Sequence, residues 1–524
     1  MRKKPFWILG LVVIALIGIV GIRFFYIGSV TSQFTGPVSP DEPIPDELVT
    51  DLEKYILELM REYDVPGVAM VLVKGDQVIY SQGLGVRDLE TRIPVDRQTL
   101  FGIGSSTKPM TAIMVASLVD DGVFGWDTPV TDIFPTFAMS DPEITDKVTI
   151  MDTLCMCTGV PRRMEDISVQ YSEMTAEDMI ESLSTIPRAG TFEHSYNYSE
   201  RMYSAGGYLA ALATGGEYGH LAEAYIRLMH DRIFDPVGMT STTLSIDEAV
   251  ASGNYATPYY SSLTGYHAIL PEVEGMFTPI APTGAEWSNA EDLGKFLIML
   301  LKNGETVDGQ RVVSAENLAY LWEPRTTIDA TFKYGLGWNV EDYHGLTVIH
   351  HPGGTAGFMS ELVIIPEYHI GFAMLINRLD LAHQTGRMTT YRLLEMLTGS
   401  EQTYDHEARL TAKEIERQIP LLLLMTRRTV KPEIIAPFLG SYHNDVLGEI
   451  TLVLHEDHTL WIDFGEYESP IRRLIVEENQ YIFFESIFIG KTIQMSLNSD
   501  GAPTMVWTGD ERTYYFVPIN SQEH

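Results

Sequence analysis

Ser105 and Lys108 stand three residues apart in a Ser-x-x-Lys pattern that suits covalent catalysis. In a helix, residues i and i+3 share one face, so the amine of Lys108 can reach the hydroxyl of Ser105. A serine hydroxyl is a poor nucleophile until a neighbour takes its proton, and a partly desolvated lysine can do so. The alternative is a helix start with a solvated lysine, because such a tetrapeptide occurs roughly once by chance in a chain of this length. The spacing predicts a nucleophilic serine, and the rest of the sequence must support it.

Several ordered segments around and after this pattern are similar to one protein family. Ser-x-x-Lys is one of the three motifs of serine β-lactamases and penicillin-binding proteins. Over roughly residues 46–400 the chain resembles the β-lactamase-related serine hydrolases, which include class C β-lactamases, D-alanyl-D-alanine carboxypeptidases, D-aminopeptidases and β-lactamase-like esterases. The segments that carry the resemblance are 96–108, 149–161, 287–293, 334–338 and 351–358.

The resemblance implies a tyrosine, in a Tyr-x-Asn motif, that exchanges protons with the nucleophile and the leaving group. Tyr198 fits this motif best because the residues after it have the spacing of the following helix, and Tyr196 is the fallback candidate. Glu200 then stands where asparagine is usual. A carboxylate there is expected to pair with Lys108 and hold it protonated. This departure motivates a rival hypothesis, a binding or sensor protein with the same fold and no turnover.

His351 lies where the family carries Lys-Thr-Gly or His-x-Gly. A lysine would remain cationic and could anchor a substrate carboxylate, whereas a histidine with a reference pKa of about 6.5 is mostly neutral at pH 7. His351 is therefore predicted to be a catalytic residue, and the alternative is an ordinary strand histidine. Gly353 and Gly354 let the strand approach a substrate closely, and the backbone N–H of Gly354 with that of Ser105 would form the oxyanion hole. This pattern favours neutral esters, amides or peptides over penicillin-like anions.

The charge and the motifs of the chain exclude other classes of function. Acidic residues outnumber basic ones by 71 to 36, which gives a formal charge of -35 and argues against nucleic-acid binding. No Walker A, Gly-x-Gly-x-x-Gly, His-Glu-x-x-His or Gly-x-Ser-x-Gly motif occurs, so no cofactor and no metal is predicted. The two cysteines, Cys155 and Cys157, cannot form a disulfide framework and are interpreted as small core residues.

Hydrophobic periodicity predicts an α/β (α+β) sandwich, an antiparallel sheet covered by helices. Residues 46–63 have apolar side chains at helical spacing, and residues 67–73 and 77–81 form a hairpin signal. Further strands are expected within 346–350, 360–365 and 370–376. The resemblance implies a β-lactamase/transpeptidase fold with a helical subdomain inserted between residue 111 and about residue 274.

The last part of the chain changes character after a connecting helix at 401–432. Period-2 alternation between turn signals predicts a small antiparallel β-barrel over residues 433–524. It resembles the lipocalin-like domains appended to some β-lactamase-related hydrolases, although the alternation also fits other β folds. Such a barrel would recognise a partner or restrict the size of the substrate.

The N-terminus carries basic residues at positions 2–4 and an uncharged run at 6–22. This pattern predicts a transmembrane anchor within residues 1–28, followed by a proline-rich linker at 29–45 and a hydrolase domain at 46–400. The chain is thus expected to be a single-pass protein of the cell membrane with its catalytic domain outside the cytoplasm. A cleaved signal peptide is the alternative.

The primary hypothesis is a membrane-anchored serine hydrolase that works through an acyl-enzyme on Ser105 with Lys108 and Tyr198. Its partner is a small-molecule or peptide substrate, either an ester or a small peptide, including D-amino-acid peptides. The alternatives are a β-lactamase, a D-alanyl-D-alanine carboxypeptidase of the penicillin-binding type, or the inactive binding protein.

Overall fold

The computed structural model describes residue 34 and residues 36–169, 171–262, 265–379, 382–477, 479–484, 488–509 and 511–519. One of its two large sheets has eight strands in the spatial order β2-β1-β8-β7-β6-β5-β4-β3. The pairs along this sheet are antiparallel, as the sequence predicts. The strands are Gly67–Lys74 (β1), Gln77–Gly85 (β2), Thr326–Thr327 (β3), Phe332–Tyr334 (β4), Asn339–Tyr343 (β5), Leu346–Gly354 (β6), Met359–Ile365 (β7) and Ile370–Ile376 (β8).

Strand β1 shows why the sheet is covered on both faces. Successive side chains of a strand point to opposite faces. Residues 68, 70 and 72 enter one hydrophobic core, and residues 69, 71 and 73 enter another. The uninterrupted apolar run is therefore the signature of a strand that is buried on both sides.

Helices supply both covering layers. On one face lie α1 (Asp46–Glu62) and the helix Ala382–Thr398. Their apolar residues share a core with residues 68, 70 and 72. In α1, Leu48, Leu52, Ile56 and Leu59 are fully buried at helical spacing. The other face is covered by the helical region between β2 and β3, which contains α2 (Thr107–Asp120) and α3 (Glu200–Ala213).

The remaining helices of this region are mostly short. They are Val130–Ile133, Pro142–Thr145, Ile150–Leu154, Glu165–Ser168, Ala176–Glu181, Leu221–Met229, Asp235–Val237, Ile246–Ala251, Ala281–Gly284, Ala290–Leu301 and Ala315–Trp322. Helical turns of other types occur at Gly104–Ser106, Tyr171–Glu173, Ser182–Ser184, His230–Phe234 and Pro271–Ile280. Two short strand pairs join Phe101–Gly102 to Trp287–Ser288 and Tyr259–Ser262 to Gly265–Ala268.

The C-terminal part is a closed barrel of eight strands, which confirms the predicted architecture. Helix Thr403–Leu424 and the short strand Thr426–Arg427 (β9) lead into it. Each barrel strand pairs with the next one along the chain, and the last strand pairs with the first. The strands are Gly440–Asn444 (β10), Gly448–Leu454 (β11), Leu460–Asp463 (β12), Glu468–Leu474 (β13), Gln480–Phe483 (β14), Thr492–Leu497 (β15), Pro503–Thr508 (β16) and Thr513–Pro518 (β17).

The structure does not support the prediction of a single-pass membrane protein. In the described part of the chain, no helix combines the length and the apolar character that a bilayer crossing requires. Helix Thr403–Leu424 has 22 residues but carries charged side chains such as Arg409 and Lys413. The apolar run at 6–22, on which the prediction was based, lies outside the described residues.

Candidate active site

Ser105 lies in the turn Gly104–Ser106, immediately before α2. This helix is central to its layer, because every residue from 107 to 118 is buried. The turn needs a glycine at position 104, where φ is 52° and an added Cβ would stand 2.5 Å from the carbonyl oxygen of Gly354. The close approach brings the start of α2 and the end of β6 together, and Ser105 stands at that junction.

Lys108 points from the first turn of α2 back to Ser105. Its Nζ donates hydrogen bonds to Ser105 Oγ at 3.1 Å and to the carbonyl oxygen of Thr283 at 3.1 Å. The side chain is fully buried. Burial lowers the pKa of Lys108 to about 7, while the carboxylate of Glu200 opposes this shift and the guanidinium of Arg162 adds to it. Near neutral pH, a substantial fraction of Lys108 is therefore an uncharged amine that can accept a proton.

Tyr198 completes a three-residue cluster with Ser105 and Lys108. Its Oη donates to Ser105 Oγ at 2.8 Å, and its ring centroid lies 4.6 Å from Lys108 Nζ. Burial, reinforced by the charge of Glu200, raises the pKa of Tyr198 well above 10. The phenol is therefore protonated at neutral pH and is arranged as a proton donor. Tyr196, the fallback candidate, instead packs against Tyr334 with ring centroids 5.7 Å apart.

The loop Cys155–Met156–Cys157 holds Tyr198 in place. Met156 accepts a hydrogen bond from Asn197 N–H at its carbonyl oxygen, at 2.9 Å, and one from Ser199 N–H at its Sδ, at 3.2 Å. Both neighbours of Tyr198 in the chain are thus tied to the same residue. Met156 itself has a φ of 54°, a region that a methionine seldom adopts.

Cys155 and Cys157 are buried as expected, but they are joined by a disulfide bond that the sequence interpretation did not foresee. Among the described residues, Asp152 and the two cysteines are the one group with ligand atoms close enough to share a metal ion. Zinc and related ions bind thiolates, and both sulfur atoms are already engaged in the disulfide. This group does not fit a metal site while the bond is present.

His351 lies on β6 within the same cleft, but its ring is occupied by other protein groups. Nδ1–H donates to the carbonyl oxygen of Pro352 at 2.7 Å, and Nε2 accepts from Tyr334 Oη at 3.2 Å. The imidazole is nearly fully buried, with its centroid 6.3 Å from that of Tyr198. Burial, helped by the nearby charge of Lys108, lowers the pKa of His351 well below 6.5. His351 is therefore an uncharged residue that lines the site.

The glycines after His351 allow β6 to touch the nucleophile turn. An added Cβ on Gly353 would stand 1.9 Å from the carbonyl oxygen of Ile103 and 2.2 Å from Ser360 Oγ. Ser106 Oγ bonds to Ser360 Oγ at 2.7 Å and donates to the carbonyl oxygen of His351 at 3.0 Å.

Gly354 lies at the same contact. Its backbone nitrogen is 2.7 Å from where a Cβ on Gly104 would stand. Gly354 therefore packs against the turn that carries Ser105, and the oxyanion hole formed by the two backbone N–H groups stays a prediction.

Glu200 behaves differently from the expectation that it would pair with Lys108. It is the first residue of α3, and its Oε1 accepts a hydrogen bond from Arg162 Nε at 3.0 Å. Its side chain is buried, so it needs a cationic partner. That partner is Arg162, 38 positions earlier in the chain, and not Lys108.

Sequence reasoning did not single out Arg162 or Tyr334 as site residues. Tyr334 is the first residue of the segment 334–338, which carries part of the resemblance, so this motif could have identified it as a site residue. Arg162 follows the segment 149–161, and no pattern distinguishes it from the next residue, Arg163. A buried carboxylate at position 200 was the one hint that a cation had to be near.

Comparison with known proteins identifies the family. A family model described as Beta-lactamase matches residues 52–396 of this chain. The chain belongs to the beta-lactamase family. The match lies inside the predicted hydrolase domain of 46–400, and the resemblance stated from the motifs is confirmed.

Proteins named as hydrolases and as penicillin-binding proteins are similar to this chain. An unguisins hydrolase of Aspergillus campestris is 27% identical, with 91% of this chain and 93% of the relative covered. Penicillin-binding protein 4 of Amycolatopsis lactamdurans is 26% identical, with 61% of this chain and 82% of the relative covered. This beta-lactamase-family protein is accordingly a hydrolase.

A solved structure of similar fold is the octameric penicillin-binding protein homologue from Pyrococcus abyssi. Its TM-score is 0.59 at 21% identity, and the alignment covers 89% of this chain and 99% of that one. At this identity the likeness shows the fold alone, and it confirms the predicted β-lactamase/transpeptidase architecture. The predicted lipocalin-like identity of the barrel is unsupported, because an alternating strand pattern fits any small antiparallel barrel.

Proposed function

We propose that this protein is a serine hydrolase that forms an acyl-enzyme on Ser105, with Lys108 as the general base and Tyr198 as the proton donor. One observation carries the proposal. Ser105 Oγ lies 3.1 Å from a buried lysine amine and 2.8 Å from a protonated phenol. The proton acceptor and the proton donor for acyl transfer thus meet at one nucleophilic oxygen.

In the acylation step, Ser105 Oγ forms a bond to the substrate carbonyl carbon while its proton passes to the neutral amine of Lys108. The carbonyl oxygen becomes an oxyanion that accepts hydrogen bonds from the backbone N–H groups of Ser105 and Gly354. The bond to the leaving group then breaks, and the leaving group takes a proton from Tyr198. Lys108 returns its proton to the phenol, so the site is neutral again.

In the deacylation step, water attacks the acyl carbonyl carbon and gives a proton to Lys108. The bond between the acyl carbon and Ser105 Oγ breaks, and Oγ receives a proton from Tyr198, which Lys108 restores. General acid–base groups of this kind contribute about 10²- to 10⁴-fold to a rate. We therefore expect Lys108→Met to lower kcat by about 10³-fold.

The substrates we propose are neutral esters or small peptides. His351 stands where a cationic lysine would hold a substrate carboxylate, and the low pKa of this histidine keeps it uncharged. This argues against penicillin-like anions as the main substrates. Because a relative that aligns with most of the chain is named an unguisins hydrolase, unguisins are included in the substrate panel.

The test uses the purified full-length chain and a fluorophosphonate probe. We expect stoichiometric labelling of the wild type, with the adduct located at Ser105 by peptide mass spectrometry. Ser105→Ala should remove labelling and hydrolysis across a panel of p-nitrophenyl esters, D-alanyl peptides, nitrocefin and unguisins. Ser106→Ala is the matched control, because its hydroxyl bonds to Ser360 and His351 and the adduct should remain at Ser105.

Two outcomes would overturn the proposal. An adduct on another serine, with activity retained in Ser105→Ala, would place the nucleophile elsewhere. Absence of labelling and of turnover under all conditions would instead favour the binding protein that Glu200 first suggested.

A further inference from the structure

Arg162 places an exposed cation beside the buried catalytic cluster. Its side chain is 55% exposed, whereas that of its partner Glu200 is only 4% exposed. Its Cζ lies 5.5 Å from the ring centroid of Tyr198, whose Oη is bonded to Ser105 Oγ. One tyrosine ring therefore separates the guanidinium group from the nucleophile.

Among the described residues, only Glu200 accepts a hydrogen bond from this guanidinium group. Nε donates to Glu200, and no described residue accepts a hydrogen bond from Nη1 or Nη2 of Arg162. A guanidinium carries five N–H donors in a rigid plane, so four of them remain for a ligand. The hydrogen bond to the buried carboxylate of Glu200 restrains this group beside the Tyr198 ring.

The charges of the site indicate what such a ligand would be. Glu200 already compensates the charge of Arg162 at 3.0 Å. The basic groups beside Ser105 and Tyr198 are Lys108, with a pKa of about 7, and the neutral His351, and the nearby Lys491 is paired with Glu165 at 3.7 Å. No uncompensated cation is left among these groups for a substrate carboxylate, so a neutral carbonyl oxygen is the better-matched acceptor.

The C-terminal barrel holds the segment that presents Arg162. The carboxylate of Glu511, two residues before β17, accepts a hydrogen bond from the backbone N–H of Arg162 at 2.8 Å. Tyr514 Oη on β17 donates to Asp166 at 2.6 Å. Val169, from the same segment, is buried in the hydrophobic core of the barrel. The backbone of Arg162 is thus fixed by the barrel and its side chain by Glu200.

We propose that Arg162 binds a neutral carbonyl oxygen of the substrate next to the scissile bond, and that the barrel positions Arg162 for this contact. The inference rests on the proposed function at Ser105 and names its substrate class: acyl groups that carry an amide, as in peptides, are preferred over simple alkyl acyl groups. Arg162 is then a specificity residue, and Tyr514 is a positioning residue that acts through it.

The test compares two esters that differ only in an acetamido group, p-nitrophenyl N-acetylalaninate (both enantiomers) and p-nitrophenyl propanoate, on the full-length protein. In Arg162→Gln, kcat/KM for the acetamido ester should fall roughly tenfold to a hundredfold more than for the propanoate, as expected for a hydrogen bond from a charged donor. Arg417→Gln is the matched control, since Arg417 also pairs with a carboxylate, that of Glu414 at 3.0 Å, on a remote exposed helix. It should change neither value.

The outcomes separate this inference from the proposed function. An equal loss on both esters, or no loss, in Arg162→Gln would overturn the inference while Ser105→Ala still abolishes activity. A preferential loss on p-nitrophenyl hemisuccinate, which carries a carboxylate, would overturn the assignment to a neutral carbonyl. Activity retained in Ser105→Ala would instead overturn the proposed function.

A second variant tests the barrel. Tyr514→Phe keeps the aromatic ring and removes the hydrogen bond to Asp166. We expect KM for the acetamido ester to rise several-fold while kcat for the propanoate stays near its wild-type value, with some loss of melting temperature because Asp166 is buried. A parallel loss on both esters that follows a lower melting temperature would show a structural role only and would refute the positioning role.

Discussion

Replacing Glu200 by glutamine tests the electrostatic account of Lys108 most directly. Glu200→Gln removes one negative charge and keeps the size of the side chain and an oxygen that can accept from Arg162. In the native site, Glu200 raises the pKa of Lys108 against the effect of burial. We therefore expect the variant to lower the pKa of Lys108 below its native value of about 7.

The structure gives the size of this shift. The ring centroid of Tyr198 is 4.6 Å from Lys108 Nζ and 5.5 Å from Arg162 Cζ, so the two cations are no more than about 10 Å apart. Unit charges about 10 Å apart at an effective dielectric constant of about 20 interact by about 1.7 kcal/mol, or about one pKa unit. Glu200 influences Lys108 more strongly than Arg162 does, so its removal should lower the pKa by at least about one unit.

The assay is the pH dependence of kcat/KM for a neutral ester, p-nitrophenyl propanoate, between about pH 5 and pH 9. Activity should rise with pH as Lys108 loses its proton, so a lower pKa moves the rising limb to lower pH. The ratio of the rate at pH 6 to the plateau rate should increase about fivefold in Glu200→Gln. Glu414→Gln, an isosteric loss of a remote surface carboxylate, should leave the limb where it is.

Removal of both charges provides a stringent check. In Glu200→Gln combined with Arg162→Gln, the opposing influences on Lys108 disappear together, and the limb should return most of the way to its wild-type position. If the rising limb of Glu200→Gln is unchanged or moves to higher pH, Lys108 is not the base whose pKa this carboxylate raises. So would a double variant whose limb lies lower than that of Glu200→Gln.

Further predictions concern the β6 contact and the pH dependence of stability. Gly353→Ala should cost about 1–3 kcal/mol or more and abolish turnover, because its Cβ would stand 1.9 Å from the Ile103 carbonyl oxygen. Gly354→Ala, which meets the flexible Met359 at 3.3 Å, should cost less than about 1 kcal/mol; equal losses in thermal unfolding would contradict this steric argument. Burial raises the pKa of Glu361 from 4.5 to about 7, so its stabilising contribution is complete below pH 4.5 and is lost as the pH rises through 7. In Glu361→Gln, the free energy of unfolding measured with urea should decrease between pH 5 and 8 by up to about 3 kcal/mol less than in the wild type. An unchanged pH dependence of this free energy would contradict the prediction.

The parts of the fold that follow from local pattern could be predicted from the sequence. The apolar run at 67–73 and the alternation after residue 440 report burial directly, because a strand exposes or hides alternate side chains. The serine–lysine pair is equally local, since one helical turn joins its members. Tyr198 lies 93 positions from Ser105, and only the resemblance to a family brought the two together before the structure did.

The features that were missed depend on contacts that no local pattern encodes. Two cysteines separated by one residue look like core positions until Met156 takes a left-handed conformation between them. The membrane prediction used the hydropathy and the basic residues of the N-terminus, and the described helices offer no span to support it. His351 was predicted as a catalytic residue that is mostly neutral at pH 7, and no local pattern showed that Tyr334 and Pro352 occupy both of its ring nitrogens.

Glu200 shows how a substitution at one position can be compensated by a residue that the sequence does not link to it. In place of asparagine, a carboxylate beside Lys108 would by itself keep the lysine protonated and the serine inactive. Arg162 changes this balance because it shares the negative charge and adds its own field, which lowers the pKa of Lys108. The backbone of Arg162 is in turn held by the barrel, through the carboxylate of Glu511.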